Sequence, residues 1–246
     1  MVETRDVPMR KGEESKKKII DAAEKLFARK GYANTSVQDV LDELKISKGG
    51  FYHYFDTKME LLAEVCRRRA EEWYAAGIAH VRGMRAGAVE RLNAALRLMN
   101  TLDRESPALL GAMTEVGLAG EDAAVKSELR ELTLGMLHPL VEEILDSGVQ
   151  EKQFVVRRTG ETARMLILLA LDVNDLATAQ ILANHHSPEC AYDVLEMLDT
   201  YRESVETLVN APYGSISLFD MSDMVGTLSR LVSSLEEKTR GRSEGR

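Results

Sequence analysis

Apolar residues return every three to four positions through most of this chain, and a two-residue alternation shows only briefly, at Phe154-Val155-Val156. The spacing predicts an almost wholly helical protein. Ile19, Ile20, Ala23, Leu26 and Phe27 make one apolar face of a helix over residues 15–30, and Gly31 supplies a stop. Thr35 and Ser36 offer capping oxygens to a second short helix. Asp39 lies three residues beyond Ser36, and Val37, Val40, Leu41 and Leu44 form the buried side. Lys45-Ile46 reads as a tight turn, and Ser47 as the cap of a third helix reaching about Tyr54. Thr57 and Glu60 have capping-box spacing at the head of a long helix running to about Val81.

Further helices are predicted over 87–99, 107–116 and 123–145. In the last, Leu129, Leu132, Met136, Leu140 and Ile144 form a stripe, and Pro139 should kink the rod. Residues 162–183 are apolar on nearly all sides, which implies burial on more than one face; Asp172, Asn174 and Asp175 are out of character there. Asp172 is expected at solvent or bonded to a neighbouring turn, whereas Asn174 is left open between that and facing a ligand or a dimer partner. A helix over 189–209 carries Val194, Leu198, Tyr201, Val205 and Leu208 along one side, and 218–235 looks like one more. Residues 1–12 and 237–246 have the polar composition of disordered ends. The expected organisation is all-α, with a small three-helix domain over 13–60 and a larger helical domain over 61–236.

Eight of the thirteen aromatic residues fall between Phe27 and Tyr74, where large rings would fill a small core efficiently. Three short helices around so tight a turn suit a helix-turn-helix, whose last helix enters the major groove of DNA. A net charge of −8 looks wrong for such a partner until it is divided. Residues 10–69 hold 14 Lys and Arg against 10 Asp and Glu, a surplus of four, so the remainder carries −12. A basic head on an acidic body is the asymmetry expected if only the head meets phosphate. Two cysteines in no metal-ligand spacing, an apolar-poor start and the lack of a long apolar run point to a cytoplasmic chain outside the membrane.

The run Lys18-Ile19-Ile20-Asp21-Ala22-Ala23, with Leu26-Phe27, Gly31-Tyr32, Thr35-Ser36-Val37 and Asp39-Val40, is followed by Ile46-Ser47-Lys48-Gly49-Gly50-Phe51-Tyr52-His53-Tyr54-Phe55, Lys58 and Glu60-Leu61-Leu62. Together these resemble the tetracycline-repressor (TetR) family over about fifty residues. Leu145-Asp146-Ser147-Gly148 followed by Phe154 matches it in style. The resemblance implies a homodimeric transcriptional regulator, usually a repressor, on a palindromic operator. It implies DNA contacts from Lys48 at the start of the recognition helix and from Tyr52, Tyr54 and Lys58 to the phosphate backbone. Thr35, Ser36 and Gln38 begin the second helix, where free amides favour an anion, and Ser47 begins the third. Gly49 and Gly50 lack side chains and permit close approach to the groove floor, while His53 either packs or touches DNA. In that family the last two long helices pair with their mates, which makes Leu198, Tyr201, Val205 and Leu208 candidates for a dimer seam.

The space around Pro139 and the methionines suggest a small-molecule effector site, with Met99, Met113, Met136, Met165 and Asn174 as candidate lining. The long helix from Lys58 would join head to body. His185, His186, Glu189 and Cys190 cluster in one turn, with His138 elsewhere, but in no closed zinc pattern, so no metal is expected. With no phosphate loop, nucleophile elbow or paired carboxylates, neither an organic cofactor nor catalysis is expected. A regulator that senses a partner protein instead of a small molecule is the alternative.

Overall fold

The computed structural model describes residues 11–99 and 123–218, apart from 185, 186 and 188. Among them are eight helices and no strand: α1 Lys11–Lys30, α2 Val37–Leu44, α3 Lys48–Tyr52, α4 Lys58–Gly83, α5 Ala88–Met99, α6 Ala123–Gln150, α7 Thr159–Asn184 and α8 Cys190–Val209. The helix expected over 107–116, the one over 218–235, Met113 and the two chain ends lie outside the described residues or nearly so. The α1 helix starts four residues before the predicted 15.

The described residues divide into two units: 11–70 with 123–129, and 71–99 with 130–218. In the first, Ile19, Ile20, Ala23, Leu26 and Phe27 of α1 close on Val40 and Leu41 of α2, Phe51 of α3, Phe55, and Leu61, Leu62, Val65 and Cys66 of α4. The head's core therefore continues past residue 60 through the opening turns of α4. Phe51 and Phe55 are fully enclosed, as large rings in so small a volume should be.

Local chemistry sets the helix ends. Gly31 takes φ +78° while its amide donates to the Phe27 carbonyl at 3.0 Å, ending α1. Ser36 and Asp39 form a reciprocal capping box on α2. Lys45 turns left-handed at φ 54° and closes that helix on Leu41, an uncommon conformation for a side chain with a Cβ. Ser47 accepts from the Gly50 amide to begin α3. At α4, the Glu60 amide donates to Thr57 Oγ1 as the spacing predicts, but the Glu60 carboxylate reaches one residue further, to the Asp56 amide at 2.7 Å.

In the second unit, Ala177 and Ile181 of α7 pack with Cys190, Val194 and Leu198 of α8. Ala163, Leu166, Ile167 and Ala170 are also buried, and Tyr201 donates its hydroxyl to the Leu166 carbonyl at 3.2 Å. In α6 the buried positions are Leu134, Leu137, Leu140, Val141, Ile144 and Leu145. The predicted stripe is thus corrected: Leu132 and Met136 sit at its half-buried margin because the true apolar face is broader and rotated toward Leu137 and Val141. The Phe154–Val156 segment is no strand. It is a connector in which the Val155 amide donates to the Val209 carbonyl, and a Cβ on Gly148 would overlap the Phe154 ring. After α8, the buried carboxylate of Glu206 binds Arg202 and accepts from the Ile216 amide, holding the chain at 211–218.

Candidate nucleic-acid interface

The recognition helix shows one clear face. Lys48, Gly49, Tyr52 and His53 are exposed, Gly50 and Tyr54 are half-buried, and Phe51 and Phe55 anchor the opposite side. The Phe51 ring stands edge-on to Tyr52 at 5.3 Å, and His53 stands edge-on to Tyr54 at 4.7 Å. The outward face therefore carries one cation, two groups able to donate hydrogen bonds, and a gap at Gly49. A five-residue helix bearing those groups on a buried aromatic base can lie against a polyanionic groove.

The start of α2 differs from expectation. Thr35 is only 1% exposed, and its hydroxyl donates to the Gly31 carbonyl at 2.8 Å and lies 3.4 Å from that of Leu26. Its amide is bound to the Tyr32 carbonyl. Thr35 is corrected from a DNA contact to a buried strut, because the turn needs its polar atoms. Ser36 is exposed, yet its amide and hydroxyl both donate to the Asp39 carboxylate, at 2.8 and 2.7 Å. The anion at this helix start is Asp39 itself. Lys30 donates to Asp39 at 2.6 Å. That ammonium first, then the Ser36 amide and hydroxyl, hold the carboxyl well below the usual carboxylate range. Gln38 is exposed and donates to Asp42 at 2.7 Å. The Lys30–Asp39 pair was missed from sequence, although a lysine in the last turn of α1 was its signal.

Lys58 is also placed unexpectedly. Its ammonium donates to the carbonyls of Tyr32 at 3.0 Å and Thr35 at 2.9 Å, and lies 4.1 Å from the Tyr32 ring centroid. The basic surplus of the head is partly internal as well. Arg68 binds Asp21 and Glu24, Arg69 binds Glu24, and Arg67 and Lys16 bind Glu64. Lys17, Lys25, Lys45 and Lys48 are exposed.

In the second unit, Leu198, Tyr201 and Val205 are buried within their own chain, and Leu208 is half-buried. Leu198 packs with Ala177 and Ile181 of α7, and Tyr201 is tied to Leu166 of the same helix. The exposed large apolar residues of these two helices are Met165, Leu169 and Leu176 on α7 and Tyr192 on α8. Of the proposed effector lining, Met99 is buried, Met136 is half-buried and Met165 is half exposed, so these three share no common environment. Asn174 donates to the Met99 carbonyl at 2.8 Å, while Asp172 and Asp175 bind Arg130. His138 Nε2 lies 3.0 Å from the Gly160 carbonyl, and Cys190 is buried, its thiol pushed up by that burial. Among the described residues no group of His, Cys, Asp or Glu is placed to hold a metal, and no helix is long and apolar enough to cross a membrane.

Residues 19–65 match the family described as bacterial regulatory proteins, tetR family. An uncharacterised HTH-type transcriptional regulator from the lacX 3' region of Lactococcus lactis is 44% identical over 59 residues, 24% of this chain and 30% of that protein. The chain spans less than a third of the length of the first curated relatives it matches. The HTH-type transcriptional repressor KstR of Mycobacterium tuberculosis is 27% identical over 76% of this chain and 78% of its own. Among solved structures, a TetR-family regulator from Pectobacterium atrosepticum superposes with TM-score 0.58 at 16% identity, over 83% of this chain and all of the other. The regulator FadR of Bacillus subtilis, in complex with stearoyl-CoA, gives 0.51 at 17% identity over 80% and 98%. Residues 19–65 thus match the tetR family of bacterial regulatory proteins, and the fold is that of these solved regulators.

Proposed function

We propose that this chain is a cytoplasmic, homodimeric transcriptional repressor that leaves a palindromic operator when a small molecule binds its larger unit. The observation that carries the DNA-binding part is the recognition helix: Lys48, Gly49, Tyr52 and His53 face outward from a base locked by Phe51 and Phe55. Lys48 meets a phosphate or a guanine edge, Tyr52 and Tyr54 donate to phosphate, and Ser36, Gln38, Ser47 and Gly50 border the contact. The test is selection of bound duplexes from a random pool, followed by a salt titration. The reading requires a palindrome with half-sites about one helical turn apart, roughly 34–36 Å, and a steep loss of affinity with salt. An enriched pool without symmetry, or no enrichment, would sink it.

Dimerisation is assigned to the outward stripe of Met165, Leu169 and Leu176 on α7, because these large apolar groups are exposed on the single chain. A small-molecule effector is favoured by the stearoyl-CoA bound to the FadR neighbour. Effector and operator must then oppose each other reciprocally, typically by about 1–3 kcal/mol of coupling. Titrating each in the presence of the other checks this, and equal affinities in both titrations would remove the effector from the scheme.

A further inference from the structure

The geometry points to Lys58 as a positioning residue that holds the α1–α2 turn in its DNA-ready form, in place of the phosphate contact its sequence position suggests. The inference rests on the DNA-binding reading above.

An ammonium has three donors. Two of them go to the Tyr32 and Thr35 carbonyls, and the charge sits against the face of the Tyr32 ring. Both carbonyls belong to the turn between α1 and α2. The same turn carries the Thr35 amide on Tyr32 and the Thr35 hydroxyl on Gly31, and it delivers Ser36 as the cap of α2. Tyr32 is itself wedged by edge contact with Phe27, and its hydroxyl reaches the Met59 sulfur at 3.9 Å. Lys58 thus ties the first turn of α4 to the entry of α2.

An ammonium drawn off the turn to a phosphate would give up both carbonyls and the ring. That strands acceptors in a half-buried turn and loosens the segment that places Ser36 and Gln38. A lysine that opens the motif to touch DNA is poorly used as a contact. One that stays put fixes the angle at which α2, and with it α3, is presented.

The two roles separate in a full-length comparison of wild type, Lys58→Met and Lys58→Arg. Each binds the selected operator and an unrelated duplex of equal length across a salt series, and amide hydrogen exchange is followed in the DNA-free proteins. For Lys58→Met the expected result is operator affinity lower by about tenfold or more, with the log–log salt slope unchanged. The ratio of operator to unrelated binding should shrink, and amides of residues 31–37 should exchange faster before any DNA is added. A slope reduced by about 0.9 at constant ratio, with unaltered exchange, would overturn the inference in favour of a direct phosphate contact. Should Lys58→Met fail to fold, Lys58→Arg decides. It keeps a charge for phosphate but replaces the compact ammonium by a planar fork. Lost operator preference supports the clamp, and full preference overturns it. Wild type that binds neither duplex would refute the DNA-binding reading, while the exchange comparison would still judge the clamp.

Discussion

The side-chain amide of Asn174, midway along the apolar α7, donates to the Met99 carbonyl at the end of α5 at 2.8 Å. The preceding carbonyl, that of Leu98, accepts from the Trp73 indole at 3.2 Å. Two helices therefore supply the partners that the last carbonyls of a third cannot find within their own helix. The polar residue that looks misplaced in sequence is a cap acting at long range.

Replacing Asn174 by Leu leaves the Met99 carbonyl without that donor in a buried setting. The expected cost is about 1–2 kcal/mol, or roughly 2–8 °C in midpoint for a chain of this size. Thermal melts followed by circular dichroism measure it. An unchanged midpoint would mean the bond adds nothing to the fold.

Asp39 makes a pH prediction whose sign is fixed by its partners. Lys30, then the Ser36 amide and hydroxyl, lower its folded pKa below that of the unfolded chain. Such a group stabilises fully above the unfolded value, about 4, and loses that contribution as pH falls from there through the folded value. Asp39→Asn should therefore be less stable than wild type at neutral pH, and the difference should close in acid. Urea unfolding of both proteins from pH 7 to about 2.5 follows this, and a difference that stays constant would contradict it. Because the pair is exposed, high salt should also narrow the gap.

How much of this was legible in sequence depends on the range of the interaction. Capping by Ser36, Ser47 and Thr57 was readable because donor and acceptor lie within four residues, as was the core face of α1. The pairing of Gly148 with Phe154 lay in the quoted motif, but its reason, room for the ring, appears only in three dimensions. The positions of Lys58 and Asn174 were not readable, because their partners stand 23 to 75 residues away, and the burial of Thr35 depends on how the turn packs. The cover over α8 was unreadable for a related reason. Apolar periodicity says that Leu198 and Val205 are covered, not whether the cover is α7 or a second chain.

Gly49 tests what the recognition helix needs its gap for. Its φ is not positive, and an added Cβ would meet nothing closer than Ser47 Oγ at 4.0 Å. Folding therefore does not require glycine there, and alanine is the better helix former by up to about 1 kcal/mol. Gly49→Ala should melt at the wild-type temperature or slightly above. If the outward face lies against the groove floor, the methyl should nonetheless weaken operator binding. Equal operator affinity in both proteins would show that DNA does not approach this position.

The assignment of the dimer seam rests on two leucines with opposite surroundings. Leu198 is enclosed by Ala177, Ile181 and Val194 of its own chain, whereas Leu176 is 58% exposed on α7, in line with Met165 and Leu169. A glutamate at 198 must bury a carboxylate with no partner, and the chain should lose cooperative folding whether or not it dimerises. A glutamate at 176 meets water in the isolated chain and leaves the α7–α8 packing untouched. In a dimer closed by symmetry, however, each copy carries that charge into the same apolar stripe, so the cost falls on association alone. Leu176→Glu should therefore keep its helical circular dichroism while sedimentation equilibrium shifts to the monomer mass, and Leu198→Glu should lose its cooperative melt. Operator affinity should fall with Leu176→Glu as well, because two half-sites are no longer held by one body. A Leu176→Glu protein that sediments as a dimer at every concentration would exclude this stripe as the seam.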